Sequence, residues 1–324
     1  MEQRSQAPHN VHFHNAHPSI GDSRGEVRQG LRASPKRINP KWFYDQAGSA
    51  LFEQITRLPE YYPTRTEVSI LQNNRVAIAD HCGRGCVLIE PGSGNCEKAR
   101  LLLDALEPSA YVPLDISADF LLQAANQLGH EYPGLHIHAV CADFNDDWQL
   151  QGSLPEGRRV VFYPGSTIGN LEPLEAERFL SRVRRLVGDN GGMLVGVDLH
   201  KSSARLNAAY NDASGVTAAF NLNVLQRINA LLRTNFDPES FRHRAFYNEV
   251  ERRIEMYLVS TAAQRVRGDG LDIEFAEGET IHTENSYKYS VDSFAALAAD
   301  AGFELQQSWL DSDELFSVHF LAAS

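Results

Sequence analysis

The sequence predicts an α/β protein in which a doubly wound parallel sheet carries a second, smaller α+β domain. The main observation is that five short apolar runs alternate with helical stretches between residues 86 and 200, as parallel strands buried on both faces do. A second observation is the change of rhythm after residue 202, where a helical stretch precedes alternating, strand-like segments up to about residue 278. The five runs are CVLI from Cys86, AYVPLDIS from Ala110, LHIHAVCADF from Leu135, RRVVFYPG from Arg158 and GGMLVGVDLH from Gly191.

The segments at the two ends of the chain complete this prediction. Residues 1–30 are expected to be a flexible polar leader. The aromatic stretch that follows is expected to form short helices interrupted by Pro59 and Pro63. A helix over 291–301 and the strands FELQQSWL and FSVHFLAA predict a hairpin that closes one edge of the sheet. The leader histidines, too loosely held to fix a metal, are His9, His12, His14 and His17.

These segments predict a division of the chain into two discontinuous domains. The sheet domain is expected to comprise residues 66–200 together with 286–324. The smaller domain is expected to comprise residues 31–65 together with 201–285, because the block after the fifth strand interrupts the rhythm of the sheet.

Composition and charge exclude several classes of function. The 324 residues carry 30 Lys and Arg against 42 Asp and Glu, a formal charge of −12, so nucleic acid is not an expected partner. The sequence contains no apolar stretch of about 18 residues, the length that a membrane span needs. Its N-terminus lacks the apolar core of a signal peptide. Four cysteines without a regular framework fit a reducing compartment, so we expect a cytoplasmic protein.

The strongest local motif is the loop after the first apolar run, Ile89-Glu90-Pro91-Gly92-Ser93-Gly94. Closely spaced glycines after a strand let the backbone approach a ligand with no Cβ in the way. The loop lacks the pattern of a nucleotide phosphate loop and the third glycine of the dinucleotide fingerprint. The Glu90 carboxylate would repel a pyrophosphate but suits a cationic cofactor.

Polar residues also follow the next strands of the predicted sheet. Asp115 ends the second run, where a carboxylate can accept both hydroxyls of a ribose. Asp143 and Phe144 end the third run and offer an acceptor and an aromatic face for an adenine ring. Either aspartate alone could be a helix cap or a turn residue. Together with the glycine loop, the two aspartates favour S-adenosylmethionine as the cofactor over NAD or ATP. Asn170, which follows the fourth run, offers an amide that can bind a zwitterionic substrate.

Longer strings in the chain resemble the L-histidine Nα-methyltransferases of ergothioneine biosynthesis. The resemblance runs from about Lys41 to the C-terminus, and the leader lies outside it. Pro91 stands where members of that family often carry leucine, which leaves the neighbouring glycines in place. The strings are Trp42-Phe43-Tyr44-Asp45, Leu58-Pro59-Glu60-Tyr61-Tyr62-Pro63-Thr64-Arg65, Gly92-Ser93-Gly94 with Glu97-Lys98, Gly165-Ser166-Thr167-Ile168-Gly169-Asn170 and Ile281-His282-Thr283-Glu284-Asn285-Ser286.

The resemblance implies a class I S-adenosylmethionine-dependent methyltransferase that converts L-histidine to hercynine by trimethylating its α-amine. It implies that Glu284 and Ser286 hold the imidazole and that Tyr61, Asn170 and Tyr210 hold the amino and carboxylate groups. The implied cofactor contacts are Gly92, Ser93, Gly94, Lys98, Asp115, Asp143 and Phe144. The implied substrate contacts are Tyr44, Phe52, Tyr61, Thr167, Asn170, Tyr210, Met256, Glu284, Asn285 and Ser286.

The chemistry of methyl transfer fits these assignments. An in-line displacement depends mainly on positioning, and we expect Tyr44 and Asn170 to act as catalytic residues that accept from the amine while water takes its proton. The faces of Tyr44 and Phe52 suit a trimethylated cation, at about 0.5–2 kcal/mol. Glu284 accepting from an imidazole N–H would favour histidine over side chains without a donor. No metal is expected, because His243 and His282 have no second ligand at metal spacing.

Other interpretations of the same residues remain open at this point. The same fold could act on another amino acid or small amine, or the protein could be a non-catalytic regulator that binds both molecules. Tyr44, Tyr61 and Tyr62 could be only the aromatic core of a small helical domain. The alternation of Glu284, Ser286 and Lys288 also fits the solvated face of a strand. Nothing in the sequence requires more than a monomer.

Overall fold

The computed structural model describes residues 8–16, 20–142 and 154–324, which fold around two sheets. The helices in chain order are α1 Ile20–Arg32, α2 Gln46–Ile55, α3 Tyr62–Cys82, α4 Glu97–Leu106, α5 Ala118–Glu131, α6 Pro173–Val187, α7 Ser203–Tyr210, α8 Val216–Leu232 and α9 Val291–Asp300. The strands are β1 Val11–Asn15, β2 Lys36–Arg37, β3 Val87–Pro91, β4 Ala110–Asp115, β5 His136–Cys141, β6 Arg159–Tyr163, β7 Gly192–Asp198, β8 Phe241–Asn248, β9 Arg253–Ser260, β10 Gln264–Gly268, β11 Leu271–Phe275, β12 Thr280–Tyr287, β13 Phe303–Leu310 and β14 Phe316–Ala323.

The larger sheet has eight strands in the order β1-β5-β4-β3-β6-β7-β14-β13. The strands from β1 to β7 in this order are parallel, and β14 runs antiparallel to both β7 and β13. The predicted parallel sheet and its closing hairpin are therefore confirmed. The chain order reverses between β3 and β6, and ligands bind in the crevice beyond the carboxyl ends of the strands at such a point.

Helices cover both faces of this sheet, because its strands are apolar on both sides. On one face Leu88 packs with the apolar sides of α3, α4 and α5. On the other face its neighbours Val87 and Ile89 pack with α6 and α9, whose Phe179 and Phe294 are fully buried. The alternation of side chains along β3 thus joins both halves of the core.

A second core lies in a smaller α+β unit. Its sheet has the order β2-β12-β9-β8 and is accompanied by the hairpin β10–β11. Phe43, Phe220, Leu258 and Ile281 are buried there among side chains of α1, α2 and α8. The predicted domain boundaries stay predictions, although the limit between residues 285 and 286 falls inside β12.

The prediction of a flexible leader is wrong for the residues that the structure describes. The strand β1 pairs in parallel with β5, and His12 lies opposite His138. Val11 and Phe13 alternate toward the core, which gives this polar segment enough apolar surface to dock on the sheet edge. Val27 and Leu31 of α1 are buried in the smaller unit.

Pro63 does not interrupt a helix but lies in the first turn of α3, where its missing N–H costs nothing.

Within the described residues no helix is both long and apolar enough to cross a bilayer.

Candidate active site

A cavity of about 1430 Å³ opens where the carboxyl ends of the central strands face the smaller unit. This volume exceeds the upper end of the usual range for a single small-molecule site, roughly 1,000 Å³, so it has room for two small ligands. Residues predicted from the sequence line it from both units. They are Tyr44, Phe52, Tyr61, Gly92, Ser93, Gly94, Lys98, Asp115, Thr167, Asn170, Tyr210, Met256, Glu284 and Ser286.

Among the described residues, Asn285 is the one predicted site residue that does not line this cavity. Asp143 and Phe144 lie outside the residues that the structure describes. Asn285 was predicted to contact the substrate, and the structure contradicts this placement. It lies between two inward-facing residues of β12, so the alternation of the strand turns it to the opposite side. There its amide donates to Glu172 Oε1 at 2.6 Å and its oxygen is 2.8 Å from His282 Nε2.

The glycine loop and Asp115 form one end of the cavity. Gly92 and Gly94 have φ values of 70° and 54°, a region that favours glycine. A Cβ at Gly94 would meet no atom within 4 Å, so this backbone faces open space. Asp115 accepts from Gly94 N at 3.1 Å and Ser117 N at 2.9 Å. Burial raises the pKa of Asp115, and these hydrogen bonds oppose that effect. Each of the two oxygens has a second acceptor position at the edge of the loop.

Glu90 lies beneath the same loop and is almost fully buried. Its carboxylate accepts a hydrogen bond from the Tyr111 hydroxyl. Burial raises the pKa of Glu90 to about 8, which favours its protonated form near neutral pH. A cation brought close to it would favour its ionised form.

Sequence reasoning missed the residue that holds Lys98. The carboxylate of Glu67, fully buried on α3, is 2.6 Å from Lys98 Nζ and accepts from Gly165 N at 2.9 Å. A Cβ at Gly196 would stand 1.9 Å from Glu67 Oε1, so only glycine leaves room for this carboxylate. A charged residue on the buried side of a helix is the signal that could have identified it.

A group of aromatic rings lines the neighbouring wall. Tyr44 meets Phe52 edge-on with ring centroids 5.6 Å apart, and Phe52 meets Tyr61 at 6.5 Å. Phe220, which sequence reasoning missed, lies 5.9 Å from both Tyr44 and Phe52. Burial first, and then the charges of Glu284 and other groups including Asp115, raise the pKa of Tyr44, which therefore stays a neutral phenol. These rings pack against the core and also face the cavity.

The turn after β6 presents Asn170. Gly165 and Ser166 adopt positive φ values of 81° and 55°, and the Thr167 hydroxyl donates to the Pro164 carbonyl at 2.8 Å. The Asn170 amide lines the cavity and makes no hydrogen bond with another described side chain or backbone group. It is therefore available to a ligand as both donor and acceptor.

The smaller unit supplies the far end of the cavity from two adjacent strands. Glu284 of β12 lies opposite Met256 of β9, after a bulge at Thr283. The Thr283 hydroxyl donates to Asn221 Oδ1 at 2.8 Å and is 3.1 Å from the Met256 carbonyl oxygen, which fixes the bulge. Bulges re-aim side chains. Glu284 is 8% exposed, so the interpretation of a solvated strand face is wrong.

The Glu284 carboxylate makes no hydrogen bond or ion pair within the described part of the chain. Burial raises its pKa to about 7, against the opposing effect of the Lys288 ammonium. Near neutral pH this group therefore changes between a carboxylate, which only accepts hydrogen bonds, and a carboxylic acid.

A buried charge cluster supports this end of the cavity. Asp198 is 2.5 Å from Lys201 Nζ and 2.8 Å from Lys288 Nζ, and it accepts from the Tyr62 hydroxyl at 2.8 Å. Burial alone would raise the pKa of Asp198, but the two lysines outweigh it and lower the pKa. Among the described residues no group of three or more His, Cys, Asp or Glu side chains could hold a metal ion.

This fold and site define a class. A parallel sheet closed by an antiparallel hairpin, with a glycine loop after β3 and an acidic residue ending β4, is typical of class I S-adenosylmethionine-dependent methyltransferases. The chain belongs to the family of histidine-specific, S-adenosylmethionine-dependent methyltransferases, whose profile matches residues 23–323.

Curated relatives agree with the family. A histidine N-alpha-methyltransferase of Mycolicibacterium smegmatis is 46% identical over 89% of this chain and 91% of its own length. One of Mycobacterium tuberculosis is 43% identical over 92% of this chain and 94% of its own length. Ergothioneine biosynthesis protein 1 of Neurospora crassa is 31% identical over 90% of this chain, which spans 33% of that longer protein.

Proposed function

We propose that this protein transfers methyl groups from S-adenosylmethionine to the α-amino nitrogen of L-histidine, three times in succession, to give hercynine for ergothioneine biosynthesis. The observation that carries the proposal is one cavity with two different ends. One end has the glycine loop and Asp115, and the other has the paired Glu284 and Ser286. Tyr44 lines the same cavity, and after burial the charges of Glu284 and Asp115 are among the effects that raise its pKa, which supports a role near both ends.

The first end suits the methyl donor. When bound there, S-adenosylmethionine would supply an electrophilic methyl group on a sulfonium. The open backbone of Gly92, Ser93 and Gly94 would surround the ligand, and Asp115 would accept from ribose hydroxyls. Lys98, held by Glu67, would offer an ammonium to a carboxylate. Asp143 and Phe144 stay predicted contacts of the adenine.

The middle of the cavity suits the amine and carboxylate of the substrate. Asn170, Tyr61 and Tyr210 offer polar groups to the zwitterion, and Tyr44 and Asn170 would act on the amine as the catalytic residues. Because the Tyr44 phenol stays neutral, it would hold the amine as an acceptor and leave the proton to water. The faces of Tyr44 and Phe52 would stabilise the cationic product by about 0.5–2 kcal/mol.

The far end suits an imidazole. Glu284 would accept from a ring N–H, Ser286 would contact the other ring nitrogen, and Met256 would pack against the ring. Thr167 would line the same substrate region, although its hydroxyl already donates to a backbone carbonyl. A buried acceptor left unpaired disfavours substrates without a donor, and this supports histidine over apolar amino acids.

The proposed reaction needs only one chain, because the described residues of one chain supply both ends of the cavity. We therefore propose a monomer that acts on small molecules in the cytoplasm. The free, buried state of Cys82, Cys86, Cys96 and Cys141 supports a reducing compartment.

Mass spectrometry of the purified protein with S-adenosylmethionine and L-histidine tests the proposal. The expected products carry one, two and then three added methyl groups on the α-nitrogen. At a low concentration of S-adenosylmethionine, Asp115→Ala should strongly slow the formation of all three products, whereas a substitution of the surface residue Val250, which is 88% exposed, should leave it unchanged. Methylation of another amino acid in preference to histidine would overturn the substrate assignment. Binding of both molecules without any product would indicate a regulator.

A further inference from the structure

Lys288 is a buried cation that lines the cavity together with Glu284 and Ser286. Its side chain is 1% exposed. The ammonium is 2.8 Å from Asp198 Oδ2, donates to Ser286 Oγ at 2.8 Å and donates to the Tyr210 hydroxyl at 3.4 Å. An ammonium has three N–H donors and no acceptor, so these three partners use all of them.

These contacts decide where the hydrogen of Ser286 goes. The Tyr210 hydroxyl also donates to Ser286 Oγ, at 2.9 Å. A serine oxygen has two acceptor positions and one hydrogen. Lys288 and Tyr210 occupy both acceptor positions, so the Ser286 hydrogen is directed to the cavity that this residue lines. Ser286 therefore presents a donor to the ligand.

Lys288 also affects the ionisation of Glu284, which lines the same cavity. It is the charged group that opposes the effect of burial on this carboxylate. Among the described residues, the phenols of Tyr44, Tyr61 and Tyr210 also feel the charge of Glu284, and burial raises their pKa values above the usual value. An ionised Glu284 presents an acceptor beside the Ser286 donor.

We propose that Lys288 is a positioning residue that makes this end of the cavity select a neutral imidazole. A neutral imidazole has one N–H donor and one bare acceptor nitrogen, which matches the Glu284 acceptor and the Ser286 donor. An imidazolium has two donors and an indole has one donor without a ring acceptor, so each leaves one of the two protein groups unpaired. The inference rests on the proposed function, because it concerns how histidine is bound.

Two lysine variants separate this role from simple structural support. Lys288→Met removes the ammonium that faces Ser286 and Glu284, with Lys288→Arg as the charge-retaining variant. Lys201→Met is the matched control, because Lys201 is also buried and 2.5 Å from Asp198 but contacts neither Ser286 nor Glu284 within the described residues. Calorimetry with S-adenosylhomocysteine verifies that each variant keeps its fold and its donor end.

The measurements are the pH profile of kcat/KM for histidine and the affinity for histidine in the presence of S-adenosylhomocysteine. In Lys288→Met we expect the acid limb to move to higher pH by about one unit or more, because Glu284 loses its opposite charge. Histidine affinity at neutral pH should fall about tenfold or more, as for a lost charge-assisted contact. Lys201→Met and Lys288→Arg should keep the wild-type limb. Since free histidine is the same in every assay, its own titration cannot produce the shift.

An unchanged acid limb in a folded Lys288→Met protein would overturn the inference while the proposed function stands. The same shift in Lys201→Met would also overturn it, because the effect would then belong to the cluster as a whole. If Lys288→Met does not bind S-adenosylhomocysteine, Lys288→Arg becomes the deciding variant. A displaced acid limb in its pH profile of kcat/KM would count against the inference, and a wild-type acid limb would support it. Failure of the wild type to bind histidine would refute the proposed function itself.

Discussion

Replacing Glu284 with glutamine is expected to increase stability at alkaline pH and to weaken histidine binding at the same time. Burial raises the pKa of Glu284 from 4.5 to about 7. A shift of that size corresponds to a cost of about 3 kcal/mol for carrying the charge in the folded protein above pH 7, at about 1.4 kcal/mol per unit. Glutamine has nearly the same shape and no charge, so the variant avoids this pH-dependent cost.

The sign of the pH dependence follows from linkage. Because the folded state binds the Glu284 proton more tightly than the unfolded state, this group lowers the stability of the wild type as pH rises from 4.5 to 7. Above that range the cost is constant. Between about pH 6 and about pH 8.5 the wild type should lose about 1.5 kcal/mol relative to Glu284→Gln. A constant offset from burying the amide does not change this difference.

Urea unfolding of both proteins at these two pH values measures the effect. Histidine titrations into the complex with S-adenosylhomocysteine should show an affinity lower by about tenfold to a hundredfold in Glu284→Gln, as for a lost charge-assisted hydrogen bond of about 1.5–3 kcal/mol. The affinity for S-adenosylhomocysteine itself should not change. Parallel pH dependences of stability in the two proteins would show that Glu284 is not titrating in a buried site, and the reasoning would fail.

Three further substitutions test other parts of the site. Gly196→Ala places a Cβ 1.9 Å from Glu67 Oε1, and calorimetry should show an S-adenosylhomocysteine affinity at least about tenfold lower; wild-type affinity would contradict the role of Glu67. Thr283→Val removes the donor to the fully buried Asn221, and urea unfolding should show a loss of about 1–3 kcal/mol together with a raised KM for histidine. Asp115→Ala should lower S-adenosylhomocysteine affinity by about tenfold or more in the same titration, and equal binding would exclude Asp115 from that site.

Local pattern in the sequence was sufficient for the parallel sheet and for one end of the site. Apolar runs separated by helices specify buried parallel strands, and the carboxyl ends of such strands meet at one edge. For this reason Gly92, Gly94, Asp115 and Asn170 could be placed at the cavity from their positions after successive strands. The alternation along a strand would also have excluded Asn285, which lies between Glu284 and Ser286.

Only the tertiary structure shows which distant side chains meet. Neither the spacing of apolar residues nor the order of strands and helices along the chain contains this information. Glu67 reaches Lys98 and Gly165 because α3 packs against α4 and β7, and Asp198 reaches Lys288 across 90 residues of sequence. The bulge at Thr283 and the strand β1 likewise depend on partners far along the chain. A strand or helix can be predicted from the spacing of its own residues, but the charge and hydrogen-bond direction at the Glu284 site depend on packing between elements.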